Sequence, residues 1–393
     1  MKFSSLRKSA RLKILVLFGS IPLYGQERGN IEVLRTLQES AGAEVLFVTH
    51  SRWGHLAVQP ELDRLGIPWT TACYAERFEK GMGIRRWGRN IQDLLIGSAQ
   101  LARIARKFRP THIHVGNPSF FLNFLPWLLL SRCPIIYRVG DKPSLHNVFY
   151  LTLWKLFIIP MTSCFVANSS YIRNSLLTAG VPAGKIRTIY NRPPFRDIKY
   201  GTAQDLIKKE GMLILYVGQI CSHHKGVDIL INAAVQILRD RPDVRLWLAG
   251  DYSWQKPLTE EFMYKVNKSG LKEQIRFLGY RHDIVELFTQ CSFHVCPSTC
   301  EEASANVVFE AKQAARPSVI FPSGGLPELI RHEIDGYCCQ ERNVDSLIKA
   351  IQYYLHNPEK CVTHGKAARQ SLDDVFQVKK FPKKWLEVYL NAL

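Results

Sequence analysis

Short apolar runs recur along this chain, each closed by a turn and followed by a longer amphipathic stretch. In the first half they are Lys13–Phe18, Glu44–Thr49, Thr111–Val115, Pro134–Val139, Cys164–Asn168 and Lys185–Ile189. Runs this short suit buried strands, and helical spacers between them make such strands parallel. The pattern lapses at Asn191-Arg-Pro-Pro194, because two prolines in a row continue neither a helix nor a central strand. It restarts with Met212–Val217, Arg245–Ala249, Ile275–Leu278, Phe293–Cys296 and Ser318–Phe321. Helices are expected at Asn30–Ser40, Ser169–Ala179 with a serine cap, Val227–Arg239, Ser304–Ala315 and Asp345–Leu355. The fold class is therefore α/β, with two doubly wound, Rossmann-like domains facing across a cleft. A length of 393 residues accommodates them. The boundaries read as 1–195 for the first domain, 196–211 for a linker, 212–372 for the second domain and 373–393 for a closing helix.

Charge is distributed unevenly. Residues 1–200 hold 28 basic and 11 acidic side chains, net +17, whereas 201–393 hold 24 and 23. A one-sided field of this kind favours an anionic partner: nucleic acid, membrane lipid or a phosphorylated substrate. No RNA-recognition signature or helix-turn-helix accompanies it, so nucleic acid is disfavoured. The stretch 85–109 concentrates the charge in Arg85, Arg86, Arg89, Arg103, Arg106, Lys107 and Arg109. Trp87, Ile91, Leu94, Leu95, Leu101 and Ile104 interleave with them. Two readings stand side by side: a basic amphipathic helix lying on an anionic membrane, or a core-packed helix with a basic solvent face.

The ten cysteines form no Cys-x-x-Cys pair and read as reduced, packed thiols. No secretory signal is recognised, and the expected location is cytoplasmic, with peripheral membrane contact. Phe120–Leu130 and Val148–Ala167 approach membrane-span hydrophobicity but carry Asn123 and Pro126, and Lys155 and Pro160. Both read as buried helices.

Four turns after strands carry chemistry. In Cys296-Pro-Ser-Thr-Cys-Glu-Glu-Ala-Ser-Ala-Asn-Val-Val-Phe-Glu310, Glu302 sits in a loop and Glu310 about two turns into a helix. Amides near Ser304, Ala305, Asn306 and Val307 at that helix start can receive phosphate, and Glu310 can accept from vicinal hydroxyls. The plainer reading is a capped amphipathic helix with two solvated acids. Gly218-Gln-Ile-Cys-Ser-His-His-Lys-Gly226 offers Lys225 to a diphosphate, or a solvated turn lysine. It lacks the Walker spacing. Gly19–Gly29 and Ser323-Gly-Gly-Leu-Pro-Glu328 are glycine turns that bring backbone close to a ligand, or simply connect strand to helix.

As an ordered set these motifs resemble a known family. Gly218…Lys225-Gly226, Leu248-Ala-Gly250, Phe277-Leu-Gly279, Cys296-Pro-Ser298, Glu302-(seven residues)-Glu310-Ala311, Gly324-Gly-Leu-Pro-Glu328 and Gly336 are similar to the GT-B retaining glycosyltransferases of family four, group one. The likeness runs from about residue 212 to 340. The first half matches more loosely, through residues 13–29, Ala41–Val45, Ala167–Ser170, Gly180-Val-Pro182 and Lys185-Ile186.

The resemblance implies that the second domain binds a nucleotide-diphosphate sugar as donor substrate and the first a glycan or lipid-linked acceptor. It implies that Glu310 holds the ribose, Glu302 the donor sugar and Lys225 the diphosphate. It also implies that Gly218 and Gln219 flank the phosphates and that backbone at Gly279, Tyr280 and Arg281 meets the base. On the acceptor side it points to Gly25, Arg138 and Asp141. Glu302 and Lys225 would be the catalytic pair, through front-face substitution without a dedicated base. No essential metal or tightly bound cofactor is expected. The expected setting is polysaccharide or glycolipid synthesis, and the closing helix, with Lys384–Leu390, should return to the first domain. Three positions depart from the family: Gln219 replaces a usual arginine, Gly140 stands where a histidine is frequent, and Ala303-Ser304-Ala305 replaces Pro, an apolar residue and Gly. Two alternatives are a nucleotide-sugar epimerase on the same fold, and a non-catalytic binder of membrane or nucleic acid with a degenerate donor site.

Overall fold

The computed structural model describes residues 12–20, 23–76, 83–143, 148–193, 211–251 and 256–392. Of the linker expected at 196–211, all but Gly211 lies outside them. The chain forms two compact units: residues up to Ile189 together with those from Lys380 onward, and Tyr190–Lys379. Each is a doubly wound, Rossmann-like α/β unit built on a wholly parallel sheet.

The first sheet contains β1 (Lys13–Phe18), β2 (Glu44–His50), β3 (Trp69–Ala72), β4 (His112–Val115), β5 (Ile135–Val139), β6 (Thr162–Ala167) and β7 (Ile186–Thr188). Their spatial order is β3-β2-β1-β4-β5-β6-β7. Leu15 in β1 pairs with Leu46 on one side and Ile113 on the other, and all three positions lie within the sheet. β3 escaped the sequence pattern because Trp69-Thr-Thr-Ala72 is short and lies at the edge. The segment 148–167 is not one buried helix. It turns helically, with a π-helical stretch at Trp154–Ile158, and then extends at Thr162 into β6. Phe120–Leu130 is likewise divided, into Pro118–Asn123 and Leu125–Leu128.

The helices of this unit include α1 (Gly25–Ala41), α2 (Val58–Arg64) and α3 (Ile84–Phe108). α1 begins five residues before the expected start. Glu27 accepts from the Tyr24 amide (3.1 Å) and the Ser20 hydroxyl (2.8 Å), which caps the first turn. The final helix, Phe381–Leu390, packs Phe381, Trp385 and Tyr389 into the core beside Ile31, Val45 and Ile136. Two buried histidines of β4 secure it. His112 Nε2 bonds the Tyr389 carbonyl (2.8 Å), and His114 bonds the Tyr389 hydroxyl (2.6 Å) and Asn30 Oδ1 (2.9 Å). Asn30 Oδ1 can only accept, so His114 Nε2 donates and Nδ1 accepts from Tyr389. The imidazole is then neutral and fully satisfied.

The second sheet contains β8 (Met212–Val217), β9 (Val244–Ala249), β10 (Ile275–Gly279), β11 (Phe293–Cys296), β12 (Ser318–Ile320) and β13 (Gly336–Cys338), in the order β10-β9-β8-β11-β12-β13. Helix Val227–Leu238 covers it with Leu230, Ile231 and Ala234, against Leu347 and Ile351 of Val344–His356. All ten cysteines are free thiols. Among the described residues no helix is long and apolar enough to cross a membrane.

Burial pushes the pKa of His114 down to about 3 from an ordinary 6.5. The unfolded chain therefore takes up that proton first, and stability present above pH 6.5 is lost as pH falls toward 3. Urea midpoints should decline through that window, and less steeply in His114→Asn. Tyr389→Phe should cost about 1–3 kcal/mol by leaving His114 Nδ1 buried without its donor.

Candidate functional site

In the second sheet, strand order reverses between β8 and β11, so the crossovers that follow these two strands leave to opposite faces of the sheet, which is where such sheets bind ligands at their carboxyl ends. The loop after β8 runs from Gly218 to Gly226, and the loop after β11 runs from Pro297 to Ala305. They are bound to each other. The amides of Thr299 and Cys300 both donate to the His224 carbonyl, at 3.0 and 3.2 Å. Gly226 has φ +67°, and a Cβ there would lie 1.9 Å from the Pro297 carbonyl oxygen, so only glycine permits this approach.

The two loops deliver Lys225 and Glu302 to one point. Lys225 Nζ donates to Glu302 Oε1 at 2.5 Å, and Ser298 Oγ lies 2.7 Å from the same oxygen. The side chains retain 29% and 18% exposure, so neither is sealed from solvent. Burial works to lower the Lys225 pKa, but the Glu302 carboxylate outweighs it and holds the ammonium above its ordinary value. The site thus keeps a fixed cation.

The fourth glycine motif turns out to hold Glu302. Gly324 has φ +57°, and a Cβ there would fall 2.3 Å from the Glu302 carbonyl oxygen and 2.7 Å from its nitrogen. The Gly325 amide donates to that carbonyl (2.7 Å), and Ser323 Oγ donates to the Cys300 carbonyl.

The helix expected from Ser304 begins at Asn306 and ends at Gln313. Ala305 is the N-cap, and its extended backbone (φ −82°, ψ 113°) cannot continue a helix back to Ser304. Ala315 closes the other end at φ +52°. Ser304 and Ala305 therefore precede the helix, and the anion-receptive first turn opens at Asn306 and Val307. Asn306 is anchored through Oδ1, which accepts from Asn191 Nδ2 at 2.6 Å. Glu310 is half-buried on the second turn.

Glycines also stack along the edge of this sheet. The Gly218 amide donates to Ala249 and the Gly250 amide to Gly279. A Cβ on Gly250 would lie 1.6 Å from the Gly218 carbonyl oxygen. The Gln219 carbonyl accepts from the Tyr216 hydroxyl at 2.8 Å. Gly279 ends β10, and Tyr280 and Arg281 follow it, two strands from β8, or about 10 Å along the edge. Tyr280 is exposed, and Arg281 Nε is paired with Asp283 at 2.7 Å.

The residues expected on the acceptor side belong to the first unit and are differently placed. Gly25 is the first residue of α1 and not part of a loop. Arg138 is only 3% exposed. Its Nη1 reaches the Gln26 carbonyl at 3.4 Å, and a Cβ on Gly29 would lie 2.4 Å from Nη2. Burial lowers its pKa to about 10, against the opposing pull of Glu27 and Asp141. Asp141 is exposed. A Cβ on Gly140 would meet Gln26 Cγ at 2.9 Å, and Gln26 Nε2 donates to the Gly116 carbonyl. Gln26 thus occupies the space a larger residue at 140 would need. Neither Gln26 nor Ser298 was singled out in the sequence. Both lie inside motifs read from the sequence, Ser298 four residues before Glu302 and Gln26 within the Gly19–Gly29 turn. Among the described residues no group of three or more His, Cys, Asp or Glu is placed to hold a metal ion.

Two family models match the chain. One, described as glycosyl transferases group 1, matches residues 202–371, and the other, Glycosyltransferase Family 4, matches 24–191. The chain is 27% identical over 239 residues to an uncharacterized glycosyltransferase of Methanocaldococcus jannaschii, covering 58% of this chain and 57% of that protein. It is 24% identical over 320 residues to N-acetyl-alpha-D-glucosaminyl L-malate synthase of Bacillus anthracis, covering 77% and 80%. It spans about half the length of several curated relatives it matches. The crystal structure of Anabaena HepE in complex with UDP and glucose shares the fold at a TM-score of 0.79 and 22% identity, covering 98% of this chain and 100% of that one.

Gly324→Ala should cost about 1–3 kcal/mol, since it forces a side chain into a left-handed conformation against the Glu302 backbone. Chemical denaturation measures the cost. A variant as stable as the parent would show that the turn does not hold Glu302 as described.

Proposed function

The chain belongs to the group 1 glycosyltransferases, and from that premise we propose that it transfers a sugar, with retention at the anomeric carbon, from a nucleotide-diphosphate donor to a glycan or lipid-linked acceptor. The observation that carries this reading is the Lys225–Glu302 pair beside the helix opening at Asn306, at the switch point of the unit matched by the group 1 model. A uridine nucleotide is the proposed donor class, supported by the UDP and glucose named for the Anabaena structure of the same fold. The second unit is the donor domain and the first the acceptor domain.

The chemistry follows from where charge develops. As the bond between the anomeric carbon and the diphosphate lengthens, negative charge gathers on the leaving phosphate. Lys225 and the first-turn amides from Asn306 supply fixed positive potential there, without reorganisation during the step. With Gln219 in place of the usual arginine, Lys225 carries more of that load. Glu302, held by Lys225, Ser298 and the Gly324–Gly325 turn, orients the donor sugar. Glu310 receives the ribose hydroxyls, and the strand-end backbone at Gly279–Arg281 meets the base. The leaving phosphate takes the acceptor's proton, so no separate base is assigned. The cationic residues compensate the diphosphate, and activity should therefore persist in chelator. The reaction would serve glycan or glycolipid assembly at the cytoplasmic side of a membrane.

A thermal-shift series with UDP, GDP, ADP and their sugars, with and without chelator, tests the donor site. Ligand at 100 times its Kd adds about 2.7 kcal/mol. Stabilisation by uridine nucleotides alone, unchanged by chelator, is expected, and silence from all three classes would sink the reading. Lys225→Ala should lower turnover about 10²–10³-fold. Glu310→Ala should weaken donor binding with less effect on turnover. Full activity in both would displace the site, and product formed from donor without acceptor would point to epimerisation.

A further inference from the structure

We propose that the N-terminal half of α3 is an interfacial anchor that lays the first unit on an anionic lipid bilayer. The helix is amphipathic, yet the face its N-terminal half buries is polar, and apolar Leu101 and Ala105 are buried only further along. Buried positions are Asn90, Asp93, Gly97, Ser98, Leu101 and Ala105. Asn90, Asp93 and Gly97, with the half-buried Gln100, serve the segment after β3. Asn90 Nδ2 donates to the Glu76 carbonyl (3.1 Å), Gln100 Oε1 accepts from the Cys73 amide (2.7 Å), and Asp93 accepts from Arg52 (3.0 Å) and from the Cys73 thiol. Gly97 lies so close that a Cβ would sit 2.2 Å from the Cys73 carbonyl oxygen. These bonds fix the rotation of the helix.

That rotation turns the apolar stripe outward. Ile84, Ile91 and Leu95 are 92%, 40% and 56% exposed. At about 100° per residue they share an arc of about 40°. Arg85, Arg89, Arg103 and Lys107, all exposed, form a second stripe about 120° further round. Asp93 is the only acid in α3, and it faces inward. The loop tied to α3 through Arg52 and Asp93 adds exposed Trp53 and Leu56.

The pairing of stripes selects the occupant. A helix lying in the plane of a bilayer can sink aliphatic side chains to the acyl boundary while arginines beside them meet anionic headgroups. Nucleic acid would engage the arginines and leave the isoleucines in water. A second copy of the chain would set two like-charged stripes against each other across an isologous interface. The inference extends the proposed lipid-linked acceptor, but it stands on this helix and not on the donor site.

The test is flotation of the full chain, without nucleotide, with phosphatidylcholine vesicles and with vesicles also containing phosphatidylglycerol. Binding to the anionic vesicles should be at least about 10-fold stronger and should fall as salt rises. Ile91→Asp with Leu95→Asp should lower binding about 10-fold or more at an unchanged Tm, since both positions are exposed. Arg85→Gln with Arg89→Gln should lower it by a similar factor and flatten the salt dependence. Failure of the parent to float at low salt overturns the proposal. So does parental binding by the Asp variant, or loss of a dimer in that variant with flotation unchanged. Because nucleotide is absent, failure here leaves the donor reading intact, and failure of the thermal-shift series leaves the anchor intact.

Discussion

Strands that all run the same way impose the constraint from which the rest follows. Each must be reached by a crossover, so every carboxyl end emerges along one edge of the sheet, and crossovers to opposite faces part where strand order reverses. In the second unit that place lies between β8 and β11. The loops that bring Lys225 and Glu302 leave those two strands. Their close approach is possible only because Gly226 and Gly324 have no side chain to collide with Pro297 and Glu302. Chemistry-bearing residues 77 positions apart in sequence thus meet within one hydrogen bond.

The Lys225–Glu302 pair matters more for geometry than for stability. A partly exposed ion pair contributes little to folding, because water solvates both partners nearly as well when they are apart. Its effect is positional. Glu302 keeps the lysine charged and holds its ammonium by a direct hydrogen bond, Ser298 restrains the carboxylate, and the glycine turn fixes the backbone beneath it. In the proposed reaction the donor's diphosphate would meet a cation already in place. The electrostatic work of assembling it is then done by folding and not by the reaction.

α3 shows a different balance. Its sequence separates apolar from basic residues, which ordinarily predicts that the apolar side packs inward. Here the adjoining edge segment, Cys73 to Glu76, has backbone groups that need partners, and a buried unpaired amide or carbonyl costs more than an exposed leucine. Asn90 and Gln100 satisfy its backbone, Asp93 accepts from the Cys73 thiol, Gly97 lets the segment approach, and Ile84, Ile91 and Leu95 are displaced to the surface.

Much of the architecture was legible because it rests on short-range patterns. β1, β8 and β11 have the limits read from their apolar runs, and Ser169 caps its helix by accepting from the Ile172 amide. Lys225, Glu302 and Glu310 were visible as spaced motifs after strands. What was not legible depended on contacts between distant segments. These include the start of α1, set by the Tyr24–Glu27 cap, and the helix opening at Asn306 instead of Ser304. They also include the burial of Arg138 beneath α1 and the rotation of α3. By itself the sequence determined periodicity, and with it the two parallel sheets and the loops that can carry a site. Only the tertiary structure decided which faces are covered and which side chains meet, because those outcomes depend on satisfying buried polar groups and excluding steric overlap across the whole fold.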